Sequence, residues 1–591
     1  MSFVRKSVYS GKNSEHSFTI DAFDGGVHLG SNYKDGMITD MENLMYENGT
    51  LVTRGGQQMA FQENVGLCKG SLACDGYAIF YAGRKLYKYI PAGHPTELAD
   101  IGNNSKILMF NFGGRTYILS DSKYYYCDGS QVCEVEPYVP IIMTDRSFDG
   151  STGNVYESLN LIGRGFTVWF NFDGNNTYKL PYNDLASDDI TVILNGEDIS
   201  DDVSINRASG NITVTGRSSA DEGLNNLRIT AYLKSENTAS SRAKIQKCTI
   251  AECYGGNEGG GTRMLLSGNP DFPNHIFRSG LLDPTYFPDT DFELVGNPGD
   301  AIVAMKAQYG ELIVLCRNSV HAVKYISSDG VYVFSCRTIN SSIGCDMKRS
   351  VQLIDNNVVF GNSSKGIFLI TSTVSENENN IVPISGNVNK TTKGILMQSK
   401  ANLKDCHSID FDGKYMLFID GTCFVWDYRT KPYNSYAGTK KAEEALCWYI
   451  FKNMCGIYPF TVSGYLFYGR NDGGIVWYDI YAYDFDVKIG SKLVTSNLWL
   501  GFPRLEKKLY RMCLDYGIVD ETVTNVYFRC DENMTGTYDG SFTLMDNGGS
   551  FESAYRSISE LSLPKAHNYS ITIDVSGGKI RIKRIIMQYR I

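Results

Sequence analysis

The sequence lacks the patterns that mark disulfide-stapled, metal-bound or membrane-spanning proteins. Its 15 cysteines are scattered singly with no C-x2-C pair, which is typical of small buried side chains in a reducing compartment. No apolar run approaches the roughly 18 residues that cross a bilayer, and no apolar signal region follows the first residues. We therefore expect no signal peptide, no membrane span and synthesis in a cytosol.

Positive charge and proline are also scarce. Lys and Arg number 56 against 65 Asp and Glu, a net charge of −9, which disfavours a surface that holds nucleic acid through counterion release. Only 15 of the 591 residues are Pro, whereas Gly (59), Tyr (39) and Phe (29) are frequent, so a disordered or collagenous chain is excluded. Aromatic, β-branched and Gly-rich composition favours strands joined by tight turns. The sequence predicts an all-β protein.

A short strand-and-turn unit recurs along much of the chain. An apolar strand, a Gly, Asn or Asp turn and an aromatic strand follow one another at 77–89, 116–126, 312–323, 358–370, 415–428 and 465–479. At roughly 40–50 residues per four-stranded blade, 66–143 and 250–490 hold about six to eight blades. These repeats predict a β-propeller, with stacked β-sandwiches as the competing fold.

Changes in composition divide the chain into five parts. They are an N-terminal extended arm with a hairpin at Asn48-Gly49 (1–60), a first propeller part (61–145), an inserted β-sandwich (146–249), a second propeller part (250–490) and a C-terminal β-sandwich (491–591). The alternation of the last strand slips by one residue at Lys583-Arg584, which predicts a bulge. Helix is minor, and its best candidate is 438–450.

No arrangement typical of catalysis or cofactor binding stands out. The seven His residues lie far apart, and the Gly-rich run 255–261 lacks the Gly-Lys-Ser/Thr of a phosphate loop and precedes a strand. Asp283, Asp289 and Asp291 could supply a glycosidase carboxylate pair, but their spacing does not place two carboxyls across a sugar, and Asp is an ordinary turn residue. We expect no catalytic residue, no metal and no cofactor, and a protein that is not an enzyme.

The last strand carries a basic stripe of Lys579, Arg581, Lys583 and Arg584. Such a stripe could contact phosphate, but alternating charge on a strand is more typical of a solvated or partner-facing edge. We therefore predict that this strand faces a protein partner.

Two groups of motifs follow one another in the chain. The N-terminal group is Phe23-Asp24-Gly25-Gly26, Asp40-Met41-Glu42-Asn43-Leu44 and Asn48-Gly49-Thr50-Leu51-Val52-Thr53-Arg54-Gly55-Gly56. The central group is Arg263-Met264-Leu265-Leu266-Ser267-Gly268, Asp283-Pro284-Thr285-Tyr286-Phe287-Pro288, Ile302-Val303-Ala304-Met305 and Asn318-Ser319-Val320-His321. Their order resembles that of the tail nozzle proteins, or tail tubular proteins B, of tailed bacteriophages. Residues 146–249 have no counterpart in this pattern.

The resemblance implies a structural virion protein of the phage tail, assembled in the host bacterial cytoplasm. Nozzles are hexameric rings that attach to the adaptor below the portal, contact fibres or other tail proteins and line the path of ejected double-stranded DNA. The resemblance carries no catalytic residues, and we expect neither tight DNA binding nor membrane insertion. An acidic chain suits such a conduit, since it does not grip a polyanion.

The N-terminal arm is the predicted contact with a neighbouring subunit or the adaptor, because extended arms gain order by docking. The candidate contact residues are Asp40, Glu42, Asn43 and Arg54. The alternative function is a carbohydrate-binding propeller at the tail tip that recognises a host receptor. Its sign would be exposed aromatic residues such as Trp426 or Trp477, although aromatic residues on such strands commonly belong to the core.

Overall fold

The computed structural model describes residues 15–29, 34–255, 262–328, 331–372, 380–433, 445–519, 523–531, 538–544 and 555–591. Strand accounts for 53% and helix for 6%, which confirms the all-β prediction. The described residues form two compact units. The first contains 15–97, 346–372 and 380–591, and the second contains 98–345, apart from the gaps given above.

Five strands open the described chain: β1 (Glu15–Ile20), β2 (Ile38–Glu42), β3 (Leu44–Glu47), β4 (Thr50–Thr53) and β5 (Gly56–Met59). Strands β3 and β4 pair antiparallel up to Glu47 and Thr50. The turn between them is Asn48-Gly49, whose φ angles of 47° and 85° are those a two-residue hairpin turn requires. The predicted hairpin is confirmed.

Two four-stranded antiparallel sheets follow. The first contains β6 (Cys68–Ala73), β7 (Ala78–Ala82), β8 (Lys85–Tyr89) and β9 (Thr96–Asp100). The second contains β10 (Leu108–Phe112), β11 (Arg115–Leu119), β12 (Tyr124–Cys127) and β13 (Val132–Glu134). Each is a simple meander, because every strand pairs with the next along the chain.

The insertion that follows has two sheets and a helix. Its elements are β14 (Ile141–Arg146), β15 (Asn154–Val155), β16 (Gly165–Phe172), β17 (Thr177–Lys179), β18 (Thr191–Leu194), β19 (Glu197–Asp198), β20 (Val203–Asn206), β21 (Asn211–Val214), β22 (Gly223–Tyr232) and α1 (Ser235–Gln246). A six-stranded sheet, β15-β14-β16-β22-β18-β19, and a three-stranded sheet, β17-β21-β20, enclose a core that includes Phe170, Val192 and Ile212. The predicted inserted β-sandwich is confirmed.

The ends of the insertion differ from the sequence-based boundaries of 146 and 249. Strand β14 already begins at Ile141, five residues before the expected start. Leu161, together with Ile245 of helix α1 and Cys248, packs with Phe277 and Phe287 in the core of the adjoining blades. Parts of the insertion therefore complete the blade core of the second unit.

Five further four-stranded sheets follow the insertion. Their strands are β23 (Ile250–Tyr254), β24 (Arg263–Ser267), β25 (His275–Arg278), β26 (Phe292–Leu294), β27 (Ile302–Gln308), β28 (Glu311–Cys316), β29 (Val320–Ser328), β30 (Val331–Asn340), β31 (Met347–Ile354), β32 (Asn357–Asn362), β33 (Gly366–Ile370), β34 (Ile381–Pro383), β35 (His407–Phe411), β36 (Lys414–Ile419), β37 (Thr422–Asp427), β38 (Trp448–Lys452), β39 (Ile457–Val462), β40 (Tyr465–Gly469) and β41 (Ile475–Asp479). A short helix, α2 (Lys400–Lys404), precedes β35.

The last of these sheets takes its fourth strand from the start of the chain. Strand β5 pairs antiparallel with β41, from Gly56 opposite Asp479 to Met59 opposite Val476. With this strand, the described residues contain seven four-stranded antiparallel sheets. The fold is a β-propeller, and seven blades lie within the predicted six to eight.

The C-terminal region forms a second β-sandwich. Its strands are β42 (Ser491–Thr495), β43 (Lys508–Val519), β44 (Thr524–Cys530), β45 (Gly540–Leu544), β46 (Tyr555–Glu560), β47 (Tyr569–Val575) and β48 (Lys579–Arg590). One sheet has the order β3-β4-β48-β43-β46, with β1 also paired to β48, and the other has the order β2-β42-β47-β44-β45. The predicted C-terminal sandwich is confirmed, but β1 to β4 of the N-terminal segment complete it.

The expectation of an extended N-terminal arm is therefore corrected. From residue 15 onward the described part of 1–60 supplies four strands to the sandwich and one to the last blade. Strands β1 and β4 pair with β48 of this chain, and buried side chains such as Phe18 and Leu51 pack in its hydrophobic core. The segment is ordered by its own C-terminal region and needs no neighbouring subunit for that purpose.

Helices are few, and the sequence located them poorly. Most of the helix predicted at 438–450 lies outside the described residues, and its end at 448–450 belongs to strand β38. Helix α1, at 235–246, was not predicted. No helix in the described ranges combines the length and the apolar character needed to cross a bilayer.

Candidate functional site

Asp40 and Glu42, two of the predicted contact residues, lie on strand β2 and share one cation. Lys393 Nζ is 2.6 Å from a carboxylate oxygen of each, and all three side chains are half-buried. Burial alone would lower the pKa of Lys393, but the two carboxylates raise it above its ordinary value. The pair therefore fixes β2 to another part of this chain, and its contact with a second subunit stays a prediction.

Arg54 is fully buried and uses all five of its N–H donors. Nη1 and Nη2 donate to the Asp484 carboxylate at 2.9 and 2.6 Å, and Nε donates to Asn43 Oδ1 at 3.0 Å. The remaining two donors reach the carbonyls of Gly55 and Lys452 at 2.7 and 2.9 Å. Burial alone would lower the pKa of Arg54, but the Asp484 carboxylate outweighs this effect, so the pKa of Arg54 lies above its ordinary value. We call these five residues the Arg54 cluster.

Asn43 belongs to the same cluster and is also buried. Its backbone has a positive φ of 57°, a conformation that Asn tolerates better than most residues. Its Oδ1 also accepts the N–H of Lys452 at 2.7 Å, and its Nδ2 donates to the carbonyl of Gly490 at 2.8 Å. For Asn43 and Arg54 the prediction of a subunit contact is wrong, because their polar atoms are buried against this chain's own groups.

The two glycines after Arg54 allow the backbone of 479–483 to approach closely. A Cβ on Gly55 would overlap the backbone of Asp479, and one on Gly56 would overlap the backbone of Tyr483. Gly55 N–H also donates to Tyr478 Oη at 3.0 Å. The run Arg54-Gly55-Gly56 therefore closes the last blade, and its residue types follow from burial, charge and lack of space.

The basic stripe of the last strand does not lie on a sheet edge. Strand β48 pairs with β43 on one side and with β1 and β4 on the other, so the prediction of an edge is wrong for Lys579, Arg581, Lys583 and Arg584. The bulge is confirmed, because Arg584 lies opposite Asp515 and Ile582 opposite Tyr516, which leaves Lys583 without a register partner. Lys583 is exposed, and a protein partner for this face stays a prediction.

Two of the three carboxylates considered for glycosidase chemistry, Asp283 and Asp291, serve the local structure. Asp283 Oδ1 accepts hydrogen bonds from the backbone N–H and the hydroxyl of Thr285 at 2.8 and 2.6 Å, as in a turn. Asp291 forms ion pairs with Arg278 and Arg263. These contacts match the ordinary roles of Asp.

Burial disfavours the charged form of two histidines, His407 and His321. His407 Nδ1 accepts the backbone N–H of Tyr458 at 3.0 Å, and burial together with the nearby Arg349 lowers the pKa of His407 to about 3. Burial also lowers the pKa of His321. Within the described ranges, no three His, Cys, Asp or Glu side chains are grouped as metal ligands.

An open cleft of about 810 Å³ lies in the first unit beside the last blade. It is bordered by the end of β35 and the residue after it (410–412), by the end of β39 with the turn and the first residue of β40 (461–465), and by the end of β41 with the residues that follow it (477–481). We call it the aromatic cleft. Tyr465 and Trp477 meet edge to face there, with ring centroids 6.0 Å apart at 71°. Both also line an adjacent cavity of about 370 Å³.

The two tryptophans considered as binding residues differ in exposure. Trp426 is 1% exposed and stacks on Trp448 in the core, whereas Trp477 is half-buried and borders the cleft. Sequence reasoning did not find Tyr465 and Tyr481, which are 49% and 83% exposed. Their only signal is that each lies beside a turn.

Comparisons with known proteins leave the family open. No family model matches the chain, and no curated protein matches it. Among solved structures, BamB from Moraxella catarrhalis is similar at 10% identity, with a TM-score of 0.33, over 73% of this chain and 98% of that one. Apo AztD from Citrobacter koseri is also 10% identical, with a TM-score of 0.29, over 66% and 90%. Hsv2 from Kluyveromyces lactis is 10% identical, with a TM-score of 0.25, over 66% and 98%.

Proposed function

We propose that this protein is a structural component of a bacteriophage tail. It forms a ring, the hexameric nozzle, that attaches below the portal adaptor, contacts fibres or other tail proteins and surrounds the DNA during ejection. The protein acts by assembly and without catalysis. The order of the N-terminal and central motifs, which resembles that of nozzle proteins, is the observation that carries this proposal.

The roles of the motif residues support a structural function. Asn43, Arg54 and the glycines after Arg54 join the N-terminal strands to the last blade, and none of them presents a reactive group to a cavity. The net charge of −9 fits a wall past which a polyanion moves, because each Lys or Arg paired with phosphate would add salt-sensitive affinity.

Mass and electron microscopy test the ring. We expect the purified full chain to give the mass of six subunits by native mass spectrometry, and a ring on the axis of assembled tails. We also expect no submicromolar affinity for a duplex in fluorescence anisotropy at about 0.15 M salt, where nonspecific binding is ordinarily weak. A monomer that stays monomeric with its adaptor, tight duplex binding or a position on a peripheral fibre would each contradict the proposal.

Two charge-neutralising variants test the predicted subunit contact. Asp40→Asn with Glu42→Gln and, separately, Lys393→Met all break the same internal ion pairs. If Asp40 and Glu42 also contact a neighbouring subunit, the first variant lowers ring formation more than the second. If the two variants lose ring formation equally, Asp40 and Glu42 act only through their ion pairs with Lys393 within this chain.

A further inference from the structure

We propose that the aromatic cleft binds a neutral oligosaccharide. Trp477 and Tyr465 would stack on the apolar C–H faces of its rings, and the carboxylates at the border of the cleft would accept hydrogen bonds from its hydroxyls. This site is separate from the proposed ring function, since it depends on one face of the first unit and on no second subunit.

The aromatic residues of the cleft are exposed for a local reason. Ser463 and Gly464 form the turn before β40 with positive φ angles of 51° and 81°, so Tyr465 is the first residue of its strand and lies at the surface. Trp477 lies opposite Phe467 and Gln58 in the sheet, and its ring packs partly on the blade core. Tyr481 follows the end of β41 and is 83% exposed. Exposed rings beside polar groups are typical of a ligand surface.

The carboxylates of the cleft favour a neutral ligand over a cation. Asp412 already pairs with Arg429 at 2.7 Å and with Lys414 at 3.3 Å. Asp479 Oδ1 accepts the backbone N–H of Tyr481 at 2.8 Å. The charge of Asp412 is therefore compensated within the chain, and both carboxylates keep lone pairs for further hydrogen bonds.

Asp410, the third carboxylate at the border, has the same character. Its Oδ1 accepts the hydroxyl of Tyr428 at 2.7 Å, and burial raises its pKa. The nearby Arg429 acts against that rise, so Asp410 already has a cation of this chain beside it, and its remaining lone pairs can accept a ligand hydroxyl. The carboxylates also disfavour an anionic polymer such as DNA.

The size of the cleft favours several sugar rings. The cleft has a volume of about 810 Å³, and the second cavity, of about 370 Å³, shares Tyr465 and Trp477 with it and is also lined by Ala60, Tyr89 and Pro91. Ligand sites of about 300–1,000 Å³ accommodate drug-sized molecules, so the two spaces together exceed what one monosaccharide fills.

The wall of the cleft is fixed before a ligand arrives. Gly55 lies against Asp479, and Asp484 is held by Arg54, so the segment that carries Ile480 and Tyr481 is anchored at both ends. A preformed wall lowers the conformational entropy that binding would otherwise cost. This arrangement suits a weak, repetitive ligand such as a surface glycan.

Titration with defined sugars tests the site. The full chain is titrated with maltohexaose, xylohexaose and hexa-N-acetylchitohexaose by calorimetry and tryptophan fluorescence, and applied to an array of neutral oligosaccharides. We expect at least one of these probes to bind with a Kd tighter than about 1 mM. Trp477→Ala and Tyr465→Ala should each weaken that binding by about tenfold or more, as loss of a central aromatic contact does elsewhere.

Controls separate recognition from folding. Tyr156→Ala removes a tyrosine that is 66% exposed in the insertion, outside the cleft, and should leave the affinity unchanged. If Trp477→Ala lowers the melting temperature, Tyr465→Ala carries the test, because Tyr465 is half exposed at the start of its strand. The proposal is overturned if no probe or array glycan binds, if both cleft variants keep the wild-type affinity, or if hexalysine binds the cleft in place of the sugars.

Discussion

Replacing Arg54 by Met removes the cation that holds the N-terminal segment, strand β38 and the segment after β41 together. The side chain of Asp484 is 17% exposed. Without Arg54, its carboxylate would keep the hydrogen bond from the Gln57 amide, at 3.0 Å. The carbonyls of Gly55 and Lys452 would each lose a hydrogen bond. Asn43 Oδ1 would keep the N–H of Lys452.

The expected cost follows from the charge left behind. Breaking a buried ion pair by removing one partner costs about 3–5 kcal/mol, because the remaining charge is uncompensated. We expect Arg54→Met to lower the free energy of unfolding of the first unit by this amount. Adding Asp484→Leu should restore about 2 kcal/mol, since removal of both partners costs less than removal of one.

Urea unfolding followed by tryptophan fluorescence measures these changes, and hydrogen exchange of peptides from β1 to β5 locates them. The control is Arg590→Met, which breaks the exposed ion pair with Glu15 and should leave stability unchanged. A loss below about 1 kcal/mol for Arg54→Met, or a double variant that equals the sum of its two single variants, would refute the reasoning.

Three further predictions concern the buried histidine, the insertion and the cysteines. His407 has a pKa near 6.5 in the unfolded chain and about 3 in the folded protein. The free energy of unfolding therefore falls as the pH falls through this window, because the unfolded chain binds the proton first. His407→Gln should keep about 2 kcal/mol that the wild type loses between pH 7 and 5, and equal losses in urea titrations would contradict the assignment. Ile245→Ala should lower the free energy of unfolding by about 2–5 kcal/mol, because Ile245 belongs to the blade core, whereas Leu224→Ala, at an exposed position, should lower it by almost nothing. Equal melting temperatures for the two variants would show that α1 is not part of the blade core. Chelator or reductant should shift the melting temperature by no more than about two degrees, and a large drop in either would reveal a folding metal or disulfide.

Local patterns predicted what depends on neighbouring residues. The recurring strand and turn units predicted the propeller and its range of blade numbers. Asn48-Gly49 predicted a hairpin, and the slip in alternation at Lys583 predicted a bulge. Each of these features is set by side-chain alternation or by turn geometry within a few residues. Helix α1 was not found, because its Ser, Thr and Asn residues carry little helical signal.

Long-range pairing could not be predicted in the same way. Gln57 lies opposite Tyr478, and Leu51 opposite Ile582, pairs that are separated by most of the chain. An isolated strand such as β5 contains no information about its partner, so the polar N-terminal segment looked like an arm. The aromatic cleft was hidden for the same reason, since residues 410–412, which belong to a different sheet from 461–465 and 477–481, help to border it.

The ion pair between Arg54 and Asp484 connects the N-terminal motif with the aromatic cleft. Arg54 closes the last blade through Asp484, and the backbone that it fixes leads directly from Trp477 and Tyr481. A glycan that binds at the cleft therefore contacts the segment that also holds the N-terminal strands in place. Binding and closure of the blade are then thermodynamically linked, because a ligand that prefers the closed blade stabilises it by mass action. A bound oligosaccharide should accordingly slow hydrogen exchange in β5 as well as in β41, and protection confined to β41 would show that the two are independent.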